Sequence, residues 1–312
     1  MTGFPDKPPS VRTAIVAAAL ALSLASLSAC GGGGGASEEA SGAAFQAPTS
    51  IEATAFSEDE AESGNGAFID VSHVEQGYVS VSATASSRLK FQVASGQASY
   101  NYDLAQDGTP ISCPLTFGDG SYTFRVMQNT QGSNYVELFS TQADVAMASQ
   151  FEPFLRPNVY CAYTEDSACV AKARELAGNA SNQAEAVAAV CDYIVGNVSY
   201  DDAKAADLKD ATGYVPDPDS TLASGTGICF DYASLGAAML RSLGIPTQIV
   251  TGYVSPNSIY HAWIMVYIDG TWKSAKFSVE PNTWSRVDLT FAADPGSTGT
   301  GDGKEYTDRF VY

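Results

Sequence analysis

Residues 230–243 are apolar on nearly every side and stop at Gly244-Ile245-Pro246. A helix that is hydrophobic all round has no face to give to water, so the rest of the chain must enclose it. Glycine just past the last turn, followed closely by proline, is a helix stop signal. The loop ahead of the run ends in Gly225-Thr226-Gly227-Ile228-Cys229, which sets a cysteine at the helix start. A helix N-terminus carries about half a positive charge and favours the thiolate, the nucleophilic form of cysteine. Gly225 and Gly227 let the backbone approach closely, and the Cys229 N–H is a candidate donor to an oxyanion.

What encloses the helix follows from periodicity. Residues 51–145 read as β-structure: Tyr78-Val79-Ser80-Val81-Ser82-Ala83 alternates with period two, as do parts of 89–93, 122–127 and 134–141, and Asp107-Gly108 and Gly118-Asp119-Gly120 are turn signals. This predicts a small antiparallel, sandwich-like β-domain over 51–150. Helix patterns follow at 167–176 and after Asn182-Gln183-Ala184-Glu185, which has capping-box form and leads into Val187, Val190, Cys191, Ile194 and Val198 at helical spacing. A polar stretch covers 201–220; its Asp201-Asp202 pair and Pro216-Asp217-Pro218-Asp219 lack the spaced ligands of a calcium loop and read as solvated loop. Beyond Pro246, residues 247–254, 261–268, 271–277 and 284–291 are β-type. Helices, then a buried helix, then an antiparallel sheet make residues 151–312 an α+β domain.

A nucleophilic cysteine needs a base, and the chain has two histidines. His73 stands alone in the β-region, where a structural role is expected. His261 opens the strand His261-Ala262-Trp263-Ile264 in the same domain as Cys229 and is the candidate base. Asp288 is the favoured partner to orient the imidazole; Asp269 competes, but Asp269-Gly270 reads as a hairpin turn after the histidine strand.

Gly227-Ile228-Cys229-Phe230-Asp231-Tyr232-Ala233, Leu240-Arg241-Ser242-Leu243-Gly244-Ile245-Pro246, Thr251-Gly252-Tyr253, His261-Ala262-Trp263 and Trp284 with Val287-Asp288-Leu289-Thr290-Phe291 together resemble the bacterial transglutaminase-like superfamily. The resemblance covers about a third of the chain. It implies a papain-like α+β core and a catalytic triad of Cys229, His261 and Asp288. Two departures accompany it: the long interval from His261 to Asp288 requires an extra hairpin over 271–282, and Leu289 stands where the family usually has proline. Asn197 and Tyr200, upstream of the cysteine, are the candidates for a second oxyanion or substrate contact.

The N-terminus has its own logic. Lys7 and Arg12 precede an uncharged run over 13–27, too short to span a bilayer, which ends in Leu27-Ser28-Ala29-Cys30. Residues 1–29 thus read as an export signal of lipoprotein type, with Cys30 as the lipidation site and 30–50, rich in Gly, Ser and Ala, as a flexible tether. The folded part is expected at the cell surface, held to the outer face of the cytoplasmic membrane. With a formal net charge of −19 the chain disfavours nucleic acid as a partner and mildly favours cationic peptides. In an oxidising compartment Cys113, Cys161, Cys169 and Cys191 predict one or two disulfides, with Cys161–Cys169 the preferred pair. No metal or cofactor motif is present. The expected activity is attack on peptide or glutamine amides, of cell-wall peptides or surface proteins, through an acyl-thioester, with hydrolysis favoured over cross-linking. The alternative is an inactive surface binding module.

Overall fold

The computed structural model describes residues 39–294 and 304–312. The expected export signal, the lipidation site Cys30 and the first part of the tether lie outside the described residues.

The all-buried helix is present as α5 (Cys229–Ser242), and twelve of its residues, Asp231 through Ser242, are buried. Its packing is tight enough to require glycine: a Cβ on Gly236 would come within 2.7 Å of a Leu289 methyl and 3.3 Å of an Ile264 methyl. The helix stops where expected, with Gly244 in the left-handed region at φ 73°. One side of α5 meets α1 (Ala168–Ala177) and α2 (Gln183–Asn197). The N-cap of α2 is Asn182, whose Oδ1 accepts the Glu185 N–H at 2.9 Å, while Glu185 reaches back to the Ser181 N–H at 2.7 Å.

The other side of α5 meets a four-stranded antiparallel sheet in the order Ser285–Val287, Ile259–Val266, Thr247–Val254, Tyr306–Val311. The last of these strands carries Tyr-Thr-Asp-Arg-Phe-Val and gives too little alternation to be read from sequence. The expected hairpin over 271–282 exists, pairing Thr271–Lys273 with Ser278–Val279, but in a separate small sheet. Asp269-Gly270 is therefore a passage between sheets and not a hairpin turn on the histidine strand.

Three further expectations change. The stretch 201–220 contains two short helices, α3 (Asp202–Leu208) and α4 (Pro218–Ser224), because Asp201 and Asp217 accept the Lys204 and Ser220 N–H groups as N-caps. Asp219 accepts the first two N–H groups of α1, from Ala168 and Cys169, at 3.0 and 2.8 Å. The tether expected over 30–50 is already structured from Glu39, since Glu39–Ser41 adds an antiparallel strand to the exposed edge of Thr271–Lys273. The four remaining cysteines are buried and unpaired. Cys161 instead lies 3.7 Å from the Ser234 carbonyl, and burial pushes its thiol up to about 11.

The N-terminal β-region consists of two four-stranded antiparallel sheets. One runs Glu62–Gly64, Ala67–Asp70, Tyr78–Ala83, Ile111–Pro114; the other runs Ala98–Leu104, Leu89–Ser95, Gly120–Gln131, Asn134–Val145. Leu89, Phe91 and Val93 alternate inward with Phe124 and Val126 and share a core with Ile69, Val79 and Val81, as the period-two pattern predicts. That core continues without a break into the helical part through Tyr102, Tyr160 and Tyr312, whose rings lie 5.8 Å (Tyr102–Tyr160) and 4.6 Å (Tyr160–Tyr312) apart.

Arg241, near the end of α5 and 1% exposed, donates to the carbonyls of Thr247 (2.8 Å), Arg156 (2.9 Å) and Tyr312 (2.7 Å). Replacing it with an apolar side chain removes three charge-assisted bonds at once, although the Tyr312 carbonyl keeps the Ile249 N–H at 2.9 Å. Arg241→Met is expected to lower the unfolding free energy by about 3 kcal/mol or more in a urea titration, and Arg241→Lys to recover little of it, since an ammonium lacks the planar fork.

Candidate active site

Cys229 is the first residue of α5, with Ile228 as the extended N-cap. At such a position the backbone N–H has no acceptor within its own helix and faces the approach to the side chain. The loop that delivers it is held by a short parallel pairing, Ser199–Tyr200 against Thr226–Gly227. It is also held by Asp231, the third residue of the helix. One Asp231 oxygen accepts the Ile228 N–H at 2.8 Å and Lys204 Nζ at 2.7 Å, and the other accepts the Tyr214 hydroxyl. Gly227 fits against this carboxylate because a Cβ there would lie 2.7 Å from Asp231 Cβ.

His261 lies on the central strand Ile259–Val266, opposite Gly252, and is 5% exposed. Its Nε2 is 2.8 Å from Asp288 Oδ2. Cys229 lies close enough to the same ring to raise its pKa, and with Nε2 engaged by Asp288 the nitrogen available to a thiol is Nδ1. The Phe291 ring stacks on the imidazole at 4.5 Å between centroids and 18° between planes. Burial by itself disfavours the imidazolium, but the bonds to Asp288 and Cys229 outweigh it and raise His261 from 6.5 to about 9.

Asp288 ends the strand Ser285–Val287 and serves as N-cap of the short helix α6 (Leu289–Ala293). Its Oδ1 accepts the Phe291 N–H at 3.1 Å, while its Oδ2 accepts from His261 and from the Tyr306 hydroxyl at 2.9 Å. Leu289 begins this helix, a position that accepts proline equally well, and is buried against α5, where a Cβ on Gly236 would meet its methyl. Cys229, His261 and Asp288 are thus brought together. Asp269, the competitor, is remote from this cluster, with its backbone N–H directed to Gln183.

Tyr200 stands near Cys229: burial raises its hydroxyl pKa first, and the Cys229 charge adds to this. Asn197 does not join it, because its side-chain amide donates to the Tyr193 carbonyl at 2.8 Å, one turn back in α2. Tyr200, Tyr232, Thr290 and Phe291 line a cleft of about 570 Å³, and its Phe291 wall is the ring that stacks on His261. A larger cavity of about 950 Å³, lined by Ile51, Ile111, Pro157 and Tyr163 among others, shares no residue with the cluster. Sequence reasoning missed Tyr306, Lys204, Tyr214 and the anchoring role of Asp231. Only Asp231 had a local signal, an acid three residues after an N-cap.

The family model described as the Transglutaminase-like superfamily matches residues 170–289, a segment that contains Cys229, His261 and Asp288. An uncharacterized protein of Mycobacterium leprae, ML0607, is 28% identical over 144 residues, covering 41% of this chain and 46% of that protein. The chain therefore spans about half the length of this curated relative. Among solved structures, a proposed cysteine protease from Cytophaga hutchinsonii is 18% identical with a TM-score of 0.35, covering 76% of this chain and 87% of that one. Red sea bream transglutaminase is 12% identical with a TM-score of 0.31, covering 74% and 50%. TM-scores this low do not carry an activity from one chain to another.

Two expectations follow from the geometry. The His261 pKa is raised in the folded state, so its contribution to stability is complete below about 6.5 and is lost as pH rises through about 9. Urea titrations across that window should show a fall in wild type, and a smaller fall that is complete at lower pH in Cys229→Ser, where one of the two groups that raise the pKa is gone. All the bonds shown to Asp288 come from donors, on both oxygens. Asp288→Asn can accept on one side only, so it is expected to lose either the α6 cap, about 1 kcal/mol, or the imidazole bond. A thermal melt together with the imidazole proton resonances distinguishes the two.

Proposed function

We propose that the protein is a cysteine-dependent acyl-transfer enzyme in which Cys229 is the nucleophile, His261 the general acid and base, and Asp288 the group that orients the imidazole. The observation that carries this reading is the buried imidazole of His261, held 2.8 Å from the Asp288 carboxylate and close enough to Cys229 to be influenced by it. A histidine raised to about 9 is basic enough to take the thiol proton and leave the nucleophilic thiolate. The thiolate attacks the carbon of a peptide or glutamine carboxamide and forms a C–S bond. The oxyanion meets the Cys229 N–H at the positive end of α5, with the Tyr200 hydroxyl nearby as a second donor. The imidazolium then gives its proton to the departing amine as the C–N bond breaks, leaving an acyl-thioester. A second nucleophile, deprotonated by His261, releases the acyl group.

Cys229 is half-buried, beside an open cleft, so water reaches the thioester; this supports hydrolysis over transfer to a lysine amine. The proposed substrates are peptides or proteins outside the cell, cell-wall peptides among them, and the acidic chain favours lysine-bearing ones. The proposed location, the outer face of the cytoplasmic membrane, rests on the signal-like sequence ending at Cys30. If so, Cys30→Ala should leave the protein in the soluble fraction on membrane sedimentation; retention in the membrane pellet would remove the lipid-anchor reading.

A glutamine-containing peptide, incubated with and without a primary amine and read by mass spectrometry, separates the outcomes. Conversion to glutamate even with amine present is expected, and a dominant amine adduct would instead make the enzyme a cross-linker. Cys229→Ala should abolish turnover, and His261→Ala should lower kcat/KM about a thousandfold or more and slow iodoacetamide labelling of Cys229 at pH 7. Labelling no faster than that of an ordinary thiol, and indifferent to His261→Ala, would sink the enzyme reading and leave a binding module.

A further inference from the structure

His73 stands alone in the sequence but not in the fold. It sits at the start of a single 3₁₀ turn, Val74–Gln76, just beyond the strand Ala67–Asp70. The strand ends in Asp70, and the turn at 58–60 folds over it, so that one ligand atom each of Glu60, Asp70 and His73 lies within 4.8 Å of the others. We propose that these three side chains form a binding site for a divalent transition-metal ion of the zinc type, independent of the cysteine chemistry.

The donor set is one imidazole nitrogen and two carboxylate oxygens, which suits zinc when a water completes a four-coordinate shell. Bonds of about 2.0–2.2 Å to such an ion would draw the three groups slightly closer than they now stand. Their hydrogen bonding leaves them free to ligate. Asp70 is fully buried, yet its donors take three of about four lone-pair positions: the Ser72 N–H and hydroxyl are on Oδ1, at 3.0 and 2.6 Å, and the Ser57 N–H is on Oδ2, at 2.9 Å. One lone pair on Oδ2 remains. Those same three bonds fix the carboxylate in place, as outer-shell donors do for metal ligands. The His73 ring is held flat against Tyr78, centroids 5.1 Å apart and planes at 19°, and its nitrogens make no hydrogen bond among the described residues. Glu60 likewise has no ion pair or hydrogen bond among them and is exposed, free to swing onto the ion. Glu58, Asp59, Glu62 and Glu75 add negative charge nearby; the cation packed on the same turn, Arg156, bonds the Gln76 carbonyl and is paired with Glu52 and Glu152.

Such an ion would tie the arm before the first sandwich sheet to the 3₁₀ turn. That turn is itself packed on the connection to the helices: a Cβ at Gly77 would lie 2.6 Å from Pro153 N, and Ala148 donates to the Glu75 carbonyl. The ion would thus brace the junction between the β-region and the helices, away from the cysteine.

The test is calorimetric titration of the full chain with ZnCl2 in a Cys229→Ser background, which removes the thiol as a competing ligand. One ion per chain is expected, with a melting temperature raised by zinc. His73→Ala should abolish binding, and Glu60→Gln, a surface change that leaves the fold intact, should weaken it at least about tenfold. A site absent in the parent, or binding that survives both substitutions in folded protein, would overturn the assignment.

Discussion

A carboxylate sealed from water costs several kcal/mol unless donors surround it, and Asp231 is sealed completely. Three donors converge on it from the N-cap of its own helix, from α3 and from the loop before α4. Much else depends on this arrangement. A helix buried on every side cannot let its first N–H groups reach solvent, so the end that carries Cys229 has to be closed by protein. Asp231 closes it two residues past the sulfur while leaving the Cys229 N–H itself free for chemistry. At the opposite end Arg241 does the corresponding work with the sign reversed, gathering carbonyls where the helix is electron-rich. Cys229 is thus mounted on an element fixed at both ends by buried charge.

The cysteine, its histidine and its aspartate were all legible in the sequence, for separable reasons. Cys229 announces itself through local grammar: glycines, then a helix start, then an apolar run with a clean stop. His261 followed from scarcity, and Asp288 from its place in the last β-type run. The contacts that steady them were not legible. Tyr306 reaches Asp288, and Lys204 and Tyr214 reach Asp231, from segments whose own sequences carry no sign of a partner. Pairing at long range is decided by the assembled fold.

The misread segments teach the same lesson on a smaller scale. Residues 201–220 looked like loop because helices of seven residues hold too few turns to show a period, and their caps, Asp201 and Asp217, resemble any loop aspartate. Asp219 looked like a solvated charge and is instead the acceptor for the first turn of α1. Residues 39–41 carry nothing apolar that would mark a strand; they pair because a neighbouring strand presents an open edge. The oxyanion candidates divided for an equally local reason, since Asn197 sits where its own helix ends and its amide satisfies a carbonyl there.

The strand Tyr306–Val311 has a bearing on the order in which the site can come into being. Cys229, His261 and Asp288 leave the ribosome before it does, yet it forms the edge of the sheet beside Thr247–Val254 and brings the hydroxyl that steadies Asp288. Tyr312, just beyond it, supplies one of the carbonyls that Arg241 grips. Until those residues have been made, the chain holds a thiol and an imidazole whose supporting partners are missing. Assembly of the Cys229, His261 and Asp288 cluster therefore waits on synthesis of Tyr306–Tyr312.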